Sequence, residues 1–387
     1  MNFDVDDDER LIADSVRRLL ADAYGFDARR RILASPDGWS RAVWASFAEL
    51  GLLGLGIDPA HGGFGGGATI MRPVMEAIGE SLVQEPYLST VGLGARLVER
   101  GAPPHVQAAL LRDVVAGRLV VAVATTERES GYDALRIATR AAPDGDAFRL
   151  DGHKCVVLHA PIADRLIVSA RSAGAQADED GVDLFVVAPS APGVRLSAAC
   201  RTLDGVTAAD VTLDGVRVGP DDRLGRPGAA GPLLDEAIDH ATALACAEAI
   251  GALGSAHADT LAYLKERRQF GAPIGSFQAL QHRMVDMTVI VEQARSMAAL
   301  ACTTVDRERD VRRRRHVVSA AKVAIADACR QVSREAVQLH GGMGMSDELR
   351  VSHTFRRLTV LAAQFGDADH HLARFVATDD PPVRQTA

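Results

Sequence analysis

The chain has 387 residues, of which 47% are hydrophobic and 4% aromatic, and its formal net charge is −8. A chain of this length can form two or three domains with a sizeable core, and its negative charge argues against general affinity for nucleic acid. Apolar runs stay shorter than the roughly 18 residues of a membrane span, and the acidic start, Met1 to Arg10, is unlike a secretory signal. We therefore expect a cytoplasmic protein that binds neither nucleic acid nor membrane.

The first part of the chain, residues 1–119, has a helical pattern. Apolar residues recur at steps of three and four, which is the spacing of one helix face. The first of these residues are Leu11, Ile12, Val16, Leu19 and Leu20. We predict an N-terminal helical domain over this range.

Residues 120–228 have the period of strands instead. Short β-branched runs alternate with turn signals that contain Gly and Asp. The clearest runs are Leu119–Val123, Arg165–Ser169, Asp183–Ala188 and Asp210–Leu213. They predict a middle β domain, a small barrel or sandwich, in which residues 172–181 form a surface loop.

From residue 229 to residue 387 the pattern is helical again. Four long segments are apolar on one face, and they lie near 232–269, 276–306, 311–340 and 352–377. Long helices joined by short connections predict a C-terminal four-helix bundle.

The cysteines and the paired histidines do not predict a metal site. The cysteines lack the paired spacing of a zinc site or a redox dithiol; they are Cys155, Cys200, Cys246, Cys302 and Cys329. The side chains of His370 and His371 would point about 100° apart on a helix, so they would rarely share a metal. We expect reduced thiols and no metal centre.

Two stretches stand out as candidate binding segments. Tyr263–Gln278 joins two predicted helices and concentrates two arginines and two phenylalanines at a Gly-Ala-Pro-Ile-Gly turn. Such a corner suits a flat, anionic ligand, although an ordinary helix-turn-helix corner has the same outline. The second stretch, Ala336–Gly344, places glycines at the end of a long helix, where backbone N–H groups can approach a ligand closely.

Together the two stretches resemble the signature of the acyl-CoA dehydrogenase family of flavoproteins. The first follows the pattern Glu-Arg-x-x-Phe-Gly-x-Pro-Ile-x-x-x-Gln through Glu266, Arg267, Phe270, Gly271, Pro273, Ile274 and Gln278. The second follows Gln-x-x-Gly-Gly-x-Gly from Gln338 onward, at the spacing that the family has. The resemblance implies an α+β fold with an N-terminal helical domain, a middle β domain and a C-terminal four-helix bundle.

The resemblance also implies that FAD is the cofactor and that these residues form the half of its site that one subunit lends to another. Arg267 would pair with the flavin pyrophosphate, a role that suits a guanidinium, and Phe270 would pack near the adenine. The remaining lining residues would be Gln278, Gln338, Gly341 and Gly342. A site divided in this way implies an oligomer.

The other half of a family site lies on the β domain of the home subunit, and there the match is weaker. The residues that resemble the family's Thr-Glu-Pro-x-x-Gly-Ser-Asp loop, whose Thr contacts the isoalloxazine, are Thr125, Thr126, Glu127, Gly131 and Asp133. Arg128 and Tyr132 replace its Pro and Ser. The family's Trp-Ile-Thr-Asn becomes Val-Val-Leu-His at residues 156–159, and the leucine side chain donates no hydrogen bond.

The catalytic base of the family is also missing from its usual place. The reaction removes a proton from the carbon next to a thioester carbonyl, which requires a carboxylate. The resemblance places this Glu at Phe365, whose ring cannot accept a proton. Asp367 is a displaced candidate base, although its place before the last helix also suits an N-cap. The alternative family position falls at Ala241, close to Asp239 and His240.

A partner chain is a further source of the base. The segment 365–372 resembles the small subunits of pimeloyl-CoA-type dehydrogenases, in which two homologous subunits form one competent site. We predict the small subunit of a heterotetramer that contains a homologous dehydrogenase subunit, dehydrogenates an acyl-CoA substrate and passes electrons to an electron-transfer flavoprotein. The alternatives are a self-sufficient homotetramer with Asp367 as the base, and a catalytically silent structural subunit.

Overall fold

The computed structural model describes residues 7–379, apart from the side chains of residues 7, 8 and 379. Residues 1–6 and 380–387, the ends of the predicted terminal domains, lie outside the described residues. Helices are followed by strands and then by helices, which is the predicted architecture. The described chain divides into two compact units. The first comprises the part up to Arg29, Ala68–Val83 and the part from Thr242, and the second comprises Arg30–Gly67 and Gln84–Ala241.

The N-terminal part contains helices of 6 to 17 residues. Their bounds are α1 Asp7–Ala23, α2 Phe26–Ala34, α3 Arg41–Glu49, α4 Ala68–Ser81, α5 Arg96–Gly101 and α6 Pro104–Val115. Helix α3 begins where the Ser40 hydroxyl accepts a hydrogen bond from the Val43 N–H, an N-cap contact. A π-helical segment, Leu88–Ala95, precedes α5.

The middle part forms a nine-stranded sheet inside the second unit. Its strands are β1 Val121–Ala124, β2 Arg140–Asp144, β3 Ala147–Leu158, β4 Arg165–Arg171, β5 Val182–Val187, β6 Val194–Leu196, β7 Cys200–Arg201, β8 Thr207–Val218 and β9 Arg223–Leu224. The order is β6-β8-β3-β2-β4-β5-β9, with β1 beside β4 and β7 beside β8. The long β3 and β8 pair antiparallel and share two register shifts. Their inward side chains join β4 and β5 in one apolar core.

The described C-terminal part begins with three helices of 30 to 36 residues and ends with two helices of 14 and 12 residues. They are α7 Gly231–Glu266, α8 Gln278–Arg307, α9 Val311–His340, α10 Arg350–Ala363 and α11 Ala368–Asp379. The single helix predicted near 352–377 is wrong, because the chain breaks between α10 and α11. Phe365 and Gly366 have φ values of 61° and 120°, and neither value is compatible with a continuing right-handed helix.

Helices α4 and α7 pack closely within the first unit. A Cβ added at Gly251 would clash with the backbone carbonyl of Glu76, and one added at Gly79 would clash with that of Glu248. Glycine is therefore required on both helices at this contact. No helix among residues 7–379 is both long and apolar enough to cross a bilayer.

Candidate functional site

The segment after α7 is a β-hairpin rather than the predicted Gly-Ala-Pro-Ile-Gly turn. Strand β10, Arg268–Gln269, pairs antiparallel with β11, Ala272–Pro273. The two turn residues, Phe270 and Gly271, have φ values of 54° and 80°, the pattern of a type I′ turn. A positive φ is uncommon for Phe, and it leaves the ring 91% exposed. The conformation thus presents an aromatic face to a ligand or to another chain.

Arg267 lies at the base of this hairpin. Its N–H donates to the Tyr263 carbonyl and its carbonyl accepts from the Ile274 N–H, both at 2.8 Å. Its side chain is exposed, and among residues 7–379 its guanidinium makes no hydrogen bond or ion pair. Gln278 is also exposed, at the first position of α8. A free guanidinium on an ordered backbone is suited to a phosphate.

A stacked ring pair joins the two candidate binding segments. The rings of Tyr263, near the end of α7, and His340, the last residue of α9, lie 4.4 Å apart at 25°. The Nδ1–H of His340 donates to the Ala336 carbonyl at 2.8 Å, which fixes the ring. The structure therefore brings the Arg267 hairpin and the glycines after α9 into one region of the first unit.

The glycines after α9 leave open space. A Cβ at Gly341 or Gly342 would meet no atom within 4 Å, and Gln338 is exposed in the last turn of α9. Met343 and Met345 are 51% and 71% exposed. This surface combines the cation of Arg267, the ring of Phe270, the accessible backbone of the glycines and two exposed methionines. Such a combination suits an anionic dinucleotide that is held against a second chain.

The predicted residues of the β domain lie at the end of β1 in the second unit. The Thr126 carbonyl accepts a hydrogen bond from the Cys155 N–H at 2.8 Å, which ties this loop to β3. Gly131 has a φ of 55° and no atom within 4 Å of an added Cβ. Thr125 is half-buried and Thr126 exposed. The loop that carries these three residues is therefore positioned by β1 and β3.

Glu127 of this loop forms a buried ion pair with Lys154 that was not predicted from the sequence. Lys154 Nζ donates to Glu127 Oε1 at 2.6 Å and to Ser169 Oγ at 2.9 Å. Burial lowers the pKa of Lys154 to about 8, against the pull of the Glu127 carboxylate. Burial also opposes the charge on Glu127, but the Lys154 ammonium outweighs it and the pKa of Glu127 is lowered. A lysine inside a strand pattern is the signal that could have revealed it.

The side chains that replace the family's Trp-Ile-Thr-Asn occupy an irregular part of β3. Val156 has a φ of 49° and is 52% exposed, and its N–H donates to Asp210 Oδ1 at 2.8 Å. Leu158 pairs with Ala208 of β8. His159 is buried, with its Nε2–H toward the Gln84 carbonyl at 3.2 Å. The Trp and the Thr that the resemblance implies near the flavin are therefore replaced by the apolar side chains of Val156 and Leu158.

Position 365 lies in the turn between α10 and α11. Phe365 is half-buried, and its carbonyl accepts from His371 Nε2 at 3.1 Å. Asp367 Oδ1 accepts from the His370 N–H at 2.9 Å, which is an N-cap contact for α11. Burial lowers the pKa of His371 to about 3, and the nearby ammonium of Lys322 acts in the same direction. His371 is therefore neutral at pH 7.

The two residues near the alternative base position lie elsewhere. Asp239 and His240 are buried in the second unit, and His240 Nδ1 donates to the Gly92 carbonyl at 2.9 Å. Ala241 is buried as well. His240 thus links the start of α7 to the π-helical segment.

A second buried ion pair, also missed from sequence, joins α7 to α10. Arg357 Nε donates to Glu248 Oε1 at 2.6 Å, and both side chains are buried. The signal was a single carboxylate inside the apolar run at residues 243–250. This pair fixes the helix that leads into the turn at position 365.

Comparison with known proteins covers all three parts of the chain. The family models named acyl-CoA dehydrogenase N-terminal, middle and C-terminal domain match residues 6–118, 122–216 and 232–377. The L-prolyl-[peptidyl-carrier protein] dehydrogenase of Pseudomonas fluorescens Pf-5 is 30% identical and is aligned over 92% of this chain and 93% of its own length.

Solved structures agree with these matches. A variant of the Tcur3481-Tcur3483 steroid ACAD is 28% identical over 96% of this chain and 97% of that one, with a TM-score of 0.86. The ChsE4-ChsE5 complex from Mycobacterium tuberculosis is 25% identical over 99% and 100%, with a TM-score of 0.88. Chains of the same fold have also been solved with FAD. The chain belongs to the acyl-CoA dehydrogenase family.

Proposed function

We propose that this chain is a subunit of an FAD-dependent acyl-CoA dehydrogenase that introduces an α,β-double bond into an acyl-CoA thioester, and that it lends its FAD contacts to a homologous partner. One contrast carries the proposal. The residues around Arg267, Phe270 and Gly341 match the family motif and are exposed, whereas Phe365 stands at the position that the resemblance gives to the catalytic carboxylate.

The proposed division of labour follows from the chemistry of each half. On the lent half, the Arg267 guanidinium pairs with the pyrophosphate, the Phe270 ring covers the dinucleotide, and the glycines let the backbone N–H groups approach it. FAD, when bound, accepts the hydride. A proton must leave the neighbouring carbon at the same time, and Phe365 has no group to take it. The base therefore comes from the partner.

The similar proteins support a heteromer. Two of the solved structures are described by paired protein names, Tcur3481-Tcur3483 and ChsE4-ChsE5. We infer that the partner of this chain is likewise a homologous dehydrogenase subunit, in a heterotetramer, and that an electron-transfer flavoprotein takes the electrons. A steroid acyl-CoA is the first substrate to test, because the 28% identical structure is a steroid ACAD.

The self-sufficient alternative requires Asp367 to act as the base. Its Oδ1 accepts the His370 N–H at 2.9 Å, which is the contact of an N-cap. A carboxylate oxygen engaged in this contact is held at the start of α11, and that geometry favours the capping role. The silent-subunit alternative predicts an assembly whose activity does not depend on this chain.

The test measures bound FAD and activity of the purified chain, first alone and then co-expressed with a homologous dehydrogenase chain. We expect little flavin on the chain alone, and about one FAD per pair in the assembly, bleached anaerobically by an acyl-CoA. About one FAD per chain when alone, bleached by the same acyl-CoA, would overturn the proposal in favour of the self-sufficient enzyme. An assembly whose activity is unchanged when this chain is omitted would favour the silent subunit.

A further inference from the structure

The C-terminal end of α10 is closed by an unusual set of donors. The last four carbonyls of a helix have no partner within the helix, and here they belong to Val360, Leu361, Ala362 and Ala363. The Gln364 and Gly366 N–H groups donate to the first and the last, at 2.9 and 3.1 Å. Lys322 Nζ, from α9, donates to the two between them at 2.6 and 3.1 Å. All four carbonyls are therefore satisfied.

Lys322 reaches these carbonyls as a buried cation. The side chain is 1% exposed, and among residues 7–379 no carboxylate lies within ion-pair distance of it. A buried charge without a counter-ion is costly, and the negative end of the α10 dipole offsets part of that cost. Burial lowers the pKa of Lys322, against opposing contributions from Cys246, Cys329 and Asp367. A methionine of similar shape would avoid this cost but would leave two carbonyls unsatisfied.

The turn that follows is anchored from its other side. His371 Nε2–H donates to the Phe365 carbonyl at 3.1 Å. Because a carbonyl only accepts, this contact fixes the ring tautomer and lets Nδ1 accept from the Ser319 hydroxyl. Gly366 packs so tightly against the rings of His370 and His371 that a Cβ would not fit. The turn is thus clamped by groups on α9 and α11.

These contacts act on the backbone at position 365 and not on its side chain. Phe365 has a φ of 61°, a conformation that a bulky residue adopts only where the surroundings impose it. Each anchor binds a main-chain atom, so the same conformation would be imposed on any residue at this position. The backbone conformation at position 365 therefore does not depend on which side chain this position carries.

We propose that Lys322 and His371 are positioning residues that fix the backbone conformation at position 365. This chain would then keep the backbone geometry that holds a catalytic base and differ only in carrying Phe in place of the family's Glu. The inference rests on the proposed function, because it is there that position 365 acquires a catalytic meaning. Lys322 fixes where α10 ends, and His371 fixes the direction in which the chain leaves.

The experiment is hydrogen exchange, read by mass spectrometry over residues 358–372 of the full chain in its purified assembly. Lys322→Met should accelerate exchange of the Gln364 and Gly366 amides at least about 10-fold, which corresponds to the loss of a charge-assisted hydrogen bond. The control is Val318→Ala, one turn earlier on α9 and also fully buried, which removes packing without touching the carbonyls. It should leave the exchange of these two amides within about twofold.

Equal acceleration in the two variants, or none in Lys322→Met, would show that Lys322 only supports general packing and would overturn the proposal. If Lys322→Met does not fold, His371→Leu decides instead, because it removes the donor to the Phe365 carbonyl, together with the weaker contact to Ser319. Faster exchange confined to residues 364–371 supports the proposal, and unchanged exchange there rejects it. Neither readout needs flavin or acyl-CoA, so this inference and the proposed function can fail separately.

Discussion

Acid should destabilise the fold through one buried histidine, His371. Its pKa is lowered to about 3, first by burial and then by the nearby Lys322, His370 and Arg374, while its hydrogen bond to the Phe365 carbonyl opposes the shift. In the unfolded chain the same imidazole titrates near pH 6.5. Between these two values the unfolded state binds more protons than the folded state, so the free energy of unfolding falls as the pH falls.

The magnitude follows from the two pKa values. Each pH unit below the unfolded pKa costs about 1.4 kcal/mol until the folded pKa is reached. Between pH 7 and pH 5, about 1.5 pH units lie below the unfolded pKa of the ring. The free energy of unfolding should therefore fall by about 2 kcal/mol over this range. His371 is 2% exposed, so solvent screening changes this value little.

The assay is urea unfolding at pH 7, 6 and 5, followed by far-UV circular dichroism, for the wild type and for His371→Gln. Glutamine keeps an N–H donor for the Phe365 carbonyl but does not titrate. The wild type should lose about 2 kcal/mol more than the variant between pH 7 and pH 5. Parallel pH dependences in the two proteins would refute the assignment of a neutral, buried His371.

Three further predictions concern the base, the helix contact and the buried ion pair. Asp367→Asn keeps a good N-cap and should leave the turnover of the assembly within about twofold, whereas a 100-fold loss in steady-state kinetics would identify Asp367 as the base. Gly251→Ala should cost about 1–3 kcal/mol in urea unfolding, while Gly254→Ala, with open space around it, should stabilise by about 0.5–1 kcal/mol; equal effects would contradict the packing. Arg357→Met should cost about 3–5 kcal/mol, largely restored by adding Glu248→Leu; a loss that persists in the double variant would contradict this account.

The sequence predicted the order of helical and β parts because periodicity reports which face of an element is buried. It also predicted the Arg267 and Gly341 segments as parts of one site, but only through the resemblance to the family, because the two segments lie far apart in the sequence. What it could not show was that Tyr263 and His340 stack and so join the two segments. That contact depends on how α7 and α9 pack, and no local pattern encodes it.

The turns were predicted least well. The hairpin at Phe270 and the break at Phe365 both place a phenylalanine at positive φ, and propensity argues against that conformation. At Phe270 the pairing of β10 with β11 overrides this propensity. At Phe365 the hydrogen bonds from Lys322 and His371 override it. The buried pairs Lys154–Glu127 and Arg357–Glu248 were missed for a related reason, since charged residues are expected on surfaces. The domain boundaries, the cytoplasmic location and the roles of the individual site residues stay predictions.

The measurement that tests the central claim most directly is the FAD content of the co-expressed assembly when this chain alone carries Arg267→Met. The matched control is Lys265→Met, which removes a neighbouring exposed cation two residues earlier. Losing a guanidinium contact to phosphate costs about 1.5–3 kcal/mol, so FAD should bind the partner's site about 10- to 100-fold more weakly, with no change for the control. Unchanged FAD affinity in Arg267→Met would contradict the claim that this chain lends half of its partner's flavin site.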